Sequence, residues 1–317
     1  MKSKQKLNNI GKKLSVVIPV YFNEESLPLL FQKILEIEKL LEKKKIIIEL
    51  IFVDDGSEDQ SLQELFIIKE KKPNVKIIKH TRNFGAVVAT KTGRKFVTGD
   101  CCIVIAADLQ DPIELIVQMT ELWLEGNKYV IAVRETRKDP IFTKLFAYIY
   151  YIILKIFVTK DYPKGGFDLA LIDKSLLPYF QNSGKNINPS LLGHWLGFKP
   201  KIIKYDRMKR DFGESRWTFK KRLNLFLDSI LGFSVSPIRI ILASGLFVSF
   251  FSFIYFLWII INAYLGNIEV KGFATIVALI SFLFGIVISM LGVIGEYIWR
   301  IFDELNKKPE SVIDEVF

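Results

Sequence analysis

Two uncharged stretches near the C-terminus constrain this chain more than anything else in it. From Ile240 to Ile261 there are 22 residues without a charge, among them Phe247, Phe250, Phe251, Phe253, Phe256 and Trp258. As a helix that run spans about 33 Å, enough for the hydrocarbon core of a bilayer. A second uncharged run goes from Gly272 to Gly295. Core helices of soluble proteins seldom continue so far without a charge, so the reading is a transmembrane hairpin with spans near 240–262 and 272–295. The joining loop carries only Glu269 and Lys271. The outer flanks are basic: Lys220, Lys221, Arg222 and Arg239 before, Arg300, Lys307 and Lys308 after. An excess of Lys and Arg marks the cytoplasmic side, which predicts both termini in the cytoplasm. Residues 1–13 are polar and basic with no apolar core, so no cleavable signal peptide is expected.

The remaining charge points the same way. A net charge of +10 suits either nucleic acid or an anionic membrane surface. The basic residues cluster beside the apolar runs, which favours the lipid bilayer as partner and argues against nucleic acid. Residues 141–158 and 218–235 mix aromatic and aliphatic residues with lysines, the composition of amphipathic helices lying in the interface. The two cysteines, Cys101 and Cys102, are adjacent and offer no disulfide framework.

Residues 14–133 alternate between short β-branched runs and helical patterns. Strands are expected at 14–20, 46–53, 75–79, 102–106 and 129–133, with helices at 24–44, 61–71, 86–97 and 112–125. That alternation implies an α/β fold with a mostly parallel sheet flanked by helices. Ligands of such sheets bind at the carboxyl ends of the strands. Polar clusters fall at three of those ends: Tyr21-Phe22-Asn23-Glu24, Asp54-Asp55-Gly56-Ser57 and Asp108-Leu109-Gln110-Asp111. No G-x-G-x-x-G follows the first strand, so a standard dinucleotide site is not supported. Carboxylates there suit ribose hydroxyls, a base N–H or a divalent metal carrying a diphosphate.

With these residues in view, the chain resembles family 2 glycosyltransferases of the polyprenyl-phosphate branch, which includes dolichol-phosphate mannosyltransferases and bactoprenol glucosyltransferases. The matching elements are Val16-Val17-Ile18-Pro19-Val20-Tyr21, Val53-Asp54-Asp55-Gly56-Ser57, Arg82-Asn83-Phe84-Gly85, Ala107-Asp108-Leu109-Gln110-Asp111-Pro112, Arg207-x-x-Arg210-x-x-Gly213-x-Ser215 and Gly295-Glu296-Tyr297. The resemblance implies a GT-A fold, a nucleotide-sugar donor, a polyprenyl-phosphate acceptor and inversion at the anomeric carbon. By position, Pro19, Tyr21, Glu24, Asp54 and Asp108 would bind the nucleotide. Asp108 and Gln110 would hold Mg²⁺ or Mn²⁺, and Asp168 would orient the acceptor or act as base. Arg207, Arg210 and Ser215 would meet the acceptor phosphate, the two arginines sharing in catalysis. The sequence departs from the pattern twice: Ala106 stands where the first acid of the D-x-D element is expected, and Phe22 is an extra residue after Tyr21.

The expected layout is a cytoplasmic catalytic domain over 1–235, two membrane helices within 236–301 and a cytoplasmic tail at 302–317. A homo-oligomer is left open, as are the sugar and the nucleotide. Two other readings compete. A polysaccharide synthase of the same fold would carry Q-x-x-R-W, but Gly213 stands where that Gln belongs before Arg216-Trp217. A degenerate transferase serving as a membrane scaffold or sugar-nucleotide sensor draws its support from Ala106. His80 and His194 lack metal-ligand spacing and are read as structural.

Overall fold

The computed structural model describes residues 11–135, 141–159, 162–163, 166–206, 219–265 and 272–317. It divides into two compact units, Met1–Ser229 together with Pro309–Phe317, and Ile230–Lys308.

The first unit alternates as the sequence pattern requires. Its elements are β1 (Lys12–Val20), α1 (Leu27–Glu42), β2 (Ile46–Asp54), α2 (Ser61–Lys71), β3 (Lys76–His80), α3 (Ala86–Lys95), β4 (Cys101–Val104), α4 (Leu115–Leu124) and β5 (Tyr129–Arg134). There follow α5 (Ile141–Phe157), β6 (Leu169–Asp173), α6 (Leu177–Gln181), α7 (Pro189–Trp195), β7 (Lys201–Tyr205) and α8 (Phe219–Leu231). The second unit holds α9 (Ser236–Tyr264) and α10 (Phe273–Leu305), and β8 (Ile313–Val316) returns to the first.

One sheet of eight strands runs in the order β7-β5-β6-β4-β1-β2-β3-β8. Its centre is parallel, β1 lying between β4 and β2 with β3 beyond. The sheet is nevertheless mixed, because β6 runs against both β4 and β5, and β8 runs against β3. Helices cover both faces of the central strands, so β1 and β2 are apolar almost throughout and their side chains are buried on both sides. Glu49 is the one polar residue within β2 before its terminal Asp54. Its carboxylate accepts from Ser15 Oγ at 2.5 Å, Thr98 N at 2.9 Å, Thr98 Oγ1 at 2.7 Å and Lys13 Nζ at 3.2 Å. Burial raises its pKa, but these hydrogen bonds outweigh burial and hold it below its ordinary value.

In α5, Tyr148, Ile149, Ile152 and Ile156 are exposed while Leu154 is buried. The Tyr150 hydroxyl lies 3.0 Å from Ser229 Oγ of α8. Both helices thus occupy the stretches expected to be amphipathic. In the second unit, α9 and α10 are long and apolar enough to cross a membrane, and their apolar windows are wholly unburied. A soluble core helix would hide that surface. The second helix outruns the expected span by ten residues, ending in a charged turn where Arg300 pairs with Glu296 at 2.9 Å.

Candidate active site

The antiparallel insertion of β6 decides where the polar residues meet. The carboxyl ends of β4, β1, β2, β3, β5 and β7 share one edge of the sheet, and β6, running the other way, brings its start to that same edge. Asp168 immediately precedes β6, and Arg134 and Tyr205 close β5 and β7 in register with one another.

On one side of the edge the loops after β1 and β2 are stitched together. Phe22 N donates to Ser57 Oγ at 3.2 Å, Asn23 N to Ser61 Oγ at 2.7 Å, and Gln60 N to Glu24 Oε2 at 2.7 Å. The extra residue Phe22 is absorbed by a left-handed turn, φ +56°, with its ring edge-on to Tyr21. Gly56, at φ +72°, lies so close to the chain after β3 that a Cβ would stand 2.6 Å from the Arg82 carbonyl carbon. Asp54 ends β2 fully buried. Its Oδ1 accepts from Ser57 N at 3.3 Å, while its Oδ2 is buried with no partner among the described residues. Burial pushes this carboxyl above its ordinary pKa, against the hydrogen bonds from Ser57.

Beyond β4 the chain alternates inward and outward. Ala107 and Leu109 are buried, whereas Ala106, Asp108 and Gln110 face outward. Leu109 takes a left-handed backbone, φ +57°, which costs a non-glycine residue on the order of 1–2 kcal/mol. Asp108 Oδ1 accepts from Gln110 N at 3.3 Å.

A third cluster lies on the other side. Arg134 Nε donates to Asp168 Oδ2. The Tyr205 hydroxyl lies 2.6 Å from Asp111 Oδ1 and 3.1 Å from Asp168 Oδ2. Burial disfavours the Arg134 charge, but Asp168 and Tyr205 more than offset it and hold the guanidinium above its ordinary pKa. Burial and the two carboxylates push the Tyr205 phenol up. This tyrosine therefore stays a neutral donor and Arg134 a fixed cation.

Residues 15–180 match the profile described as Glycosyl transferase family 2. The chain belongs to that family. It is 35% identical to the "Uncharacterized glycosyltransferase YkcC" of Bacillus subtilis (strain 168), over 96% of this chain and 94% of that one. It is 33% identical to the "Prophage bactoprenol glucosyl transferase homolog" of Escherichia coli (strain K12), over 96% of this chain and 99% of the relative. A "Bactoprenol glucosyl transferase" of Shigella phage SfX is also 33% identical, over 95% of this chain and 98% of the phage protein.

This family 2 glycosyltransferase brings Pro19, Tyr21, Glu24, Asp54, Asp108, Gln110 and Asp168 to one sheet edge. Arg207, Arg210 and Ser215 lie outside the described residues. The sequence pattern did not mark Arg134 and Tyr205; the available signal was that Arg134 is a charged residue closing the apolar β5, whereas β7 carries two lysines and gives Tyr205 no such contrast. Of the two histidines, His194 packs among the rings of Tyr129, Tyr162 and Phe167. His80 joins the loops of the edge, bonding Asp55 and Thr92.

In this transferase, changing Asp54 to Asn should separate stability from binding. An ionised carboxylate with its pKa raised by burial costs the folded state stability at neutral pH, and that cost vanishes as pH falls through the raised pKa. Asp54→Asn should therefore melt at or above wild type near neutrality, with the gap closing on acidification. If Asp54 holds the nucleotide, as the resemblance implies, affinity should fall about ten- to a hundredfold, the range for a lost hydrogen bond to a charged group. Melting curves across pH and calorimetry with nucleotide test both halves; a variant that binds as well as wild type removes Asp54 from the site.

Proposed function

We propose that this glycosyltransferase moves a sugar, with inversion, from a nucleotide-diphosphate sugar to polyprenyl phosphate at the cytoplasmic face of a membrane. The observation that carries this reading is the full-length similarity, through the two C-terminal helices, to relatives named for bactoprenol glucosyl transfer.

The residues of the edge fit such a reaction. Asp54, buried with one oxygen that has no partner among the described residues, is suited to a donor N–H or hydroxyl of the nucleoside. Pro19, Tyr21 and Glu24 would line the same nucleoside site. Asp108 and Gln110 face outward together and offer hard oxygen donors, a set that fits Mg²⁺ or Mn²⁺. Such an ion, when bound, neutralises charge on the leaving diphosphate. The acceptor phosphate has a second pKa of about 6 and is mostly dianionic at neutral pH, so it needs little help from a base. Asp168 is engaged by Arg134 and Tyr205, which suits orienting more than proton abstraction. Arg134 has five N–H donors, more than these two partners use, and its remaining donors would meet phosphate oxygen. Arg207, Arg210 and Ser215 would complete the acceptor site. The exposed apolar face of α5 would rest in the interface, near the phosphate end of the lipid.

A screen of UDP-, GDP- and other nucleotide sugars against undecaprenyl phosphate tests the reading. One donor should yield a lipid-linked sugar. No transfer from any donor would overturn it and favour the scaffold or sensor role that Ala106 suggests.

Topology is tested by cysteine labelling. Cys101 and Cys102 are buried, and burial pushes the Cys102 thiol up to about 12, so they contribute little background. A cysteine placed at position 267 should react with an impermeant maleimide in intact cells, and one at position 3 should not. The reverse pattern would invert the proposed orientation.

A further inference from the structure

We propose that the C-terminal segment, Pro309–Phe317, is a positioning strap for the nucleotide site, acting through Ser311. The inference rests on the nucleotide-sugar reading above.

The segment follows α10 and ends as the edge strand of the first unit's sheet. Strand β8 pairs with β3, Val316 opposite Ile78 and Ile313 opposite His80. Ile77 and Phe317 exchange both backbone hydrogen bonds, at 3.0 and 2.8 Å, and Thr81 N donates to Val312 O at 3.1 Å. The Phe317 ring stands edge-on to Phe66, centroids 4.8 Å apart. Two ion pairs flank the strand, Lys79 with Asp314 at 2.6 Å and Lys91 with Glu310 at 2.7 Å. An exposed sheet edge gains from being covered, and that alone would account for the strand.

It does not account for Ser311. Its hydroxyl lies 2.9 Å from Thr92 Oγ1. Thr92 Oγ1 lies 3.0 Å from His80 Nε2, and His80 Nδ1 lies 2.8 Å from Asp55 Oδ1. The Asp55 carboxylate accepts from Phe84 N at 2.9 Å and Gly85 N at 2.7 Å, which holds the turn opening α3. Asp55 neighbours Asp54 and bonds through its own N to Val20 O at the end of β1. His80, Thr92 and Asp55 are all buried, so each depends on the next for its hydrogen bonds. Whichever way the protons run, Ser311 is the outer end of a continuous chain reaching the two loops that frame Asp54. Such chains polarise their members, and loss of one end is felt at the other.

The test uses the full-length protein in detergent or nanodiscs, with UDP and GDP as calorimetric probes and donor kinetics alongside. Ser311→Ala leaves the β8 ladder intact and removes only the hydroxyl. It should raise the nucleotide Kd and the donor KM roughly three- to tenfold, the range for one lost hydrogen bond, with kcat within about twofold. Amide exchange across residues 82–86 should quicken. Ser311→Thr should restore all three. Asp314→Asn, which weakens the strap's exposed ion pair but leaves the chain whole, should behave as wild type. Unchanged affinity and exchange in Ser311→Ala would overturn the strap, as would an Asp314→Asn variant equally impaired, which would mean simple edge covering. A wild-type protein that binds neither of these nor any other nucleoside diphosphate would overturn the functional reading itself, and the strap with it.

Discussion

Asp108→Asn is expected to lower turnover by about two to three orders of magnitude while leaving the fold intact. The size follows from the several kcal/mol that charge stabilisation by a metal contributes to a transition state. Asp108 is the only carboxylate among the outward-facing residues 106, 108 and 110, because Ala106 occupies the first acidic position and Gln110 is neutral. The other carboxylate of that turn, Asp111, is engaged by the Tyr205 hydroxyl at 2.6 Å, so Asp108 is the residue that would hold the ion with a full charge. The fold should survive because Asn keeps the oxygen that accepts from Gln110 N. Ala106→Asp is the complementary variant. Position 106 faces outward, so a carboxylate there meets solvent rather than core. Activity should persist, with a changed preference between Mg²⁺ and Mn²⁺. Initial rates across both metals check the pair. Wild-type turnover in Asp108→Asn would remove the metal assignment and leave arginines, Arg134 first, to neutralise the leaving diphosphate.

The sheet's centre was legible because burial on two faces demands long apolar runs, and β1 and β2 obey that demand nearly throughout. The loops at their carboxyl ends were legible for the converse reason: polar residues interrupt each run at the same side. Strands β6 and β8 gave no such signal. Ile313–Val316 is half acidic and wholly exposed, the composition of an edge strand, and its partner β3 lies far back in the chain. Leu169–Asp173 is short, and only its antiparallel pairing brings Asp168 to the sheet edge where the polar loops meet. Arg134 and Tyr205 stand 34 and 37 positions from Asp168, a separation that no local pattern spans. His80 looked structural in sequence. Its tie to Ser311 passes through Thr92, whose partner is 219 residues away. Local periodicity therefore reported the elements, and topology had to report the site.

Arg134 and Asp168 should lose activity together and not independently. In Arg134→Lys the charge remains but the planar fork is gone, so one side chain can no longer hold Asp168 and present donors to a phosphate at once. The expected fall in kcat/KM is about a hundredfold or more, of the order seen when one preorganised donor to a developing anion is removed. Asp168→Asn keeps the shape but removes the charge that fixes the guanidinium, and Arg134 is left with Tyr205. A comparable fall follows if orientation is what Asp168 supplies. The double variant should then be scarcely worse than either single one, since residues acting as a unit give strongly non-additive losses. Base catalysis by Asp168 predicts something else. The acid limb of the pH–rate profile would survive in Arg134→Lys and disappear in Asp168→Asn, and the two losses would multiply in the double variant. The four proteins compared by pH–rate profile and double-mutant cycle decide between the roles. Multiplying losses with a missing acid limb would make Asp168 the base and reduce Arg134 to its counter-ion.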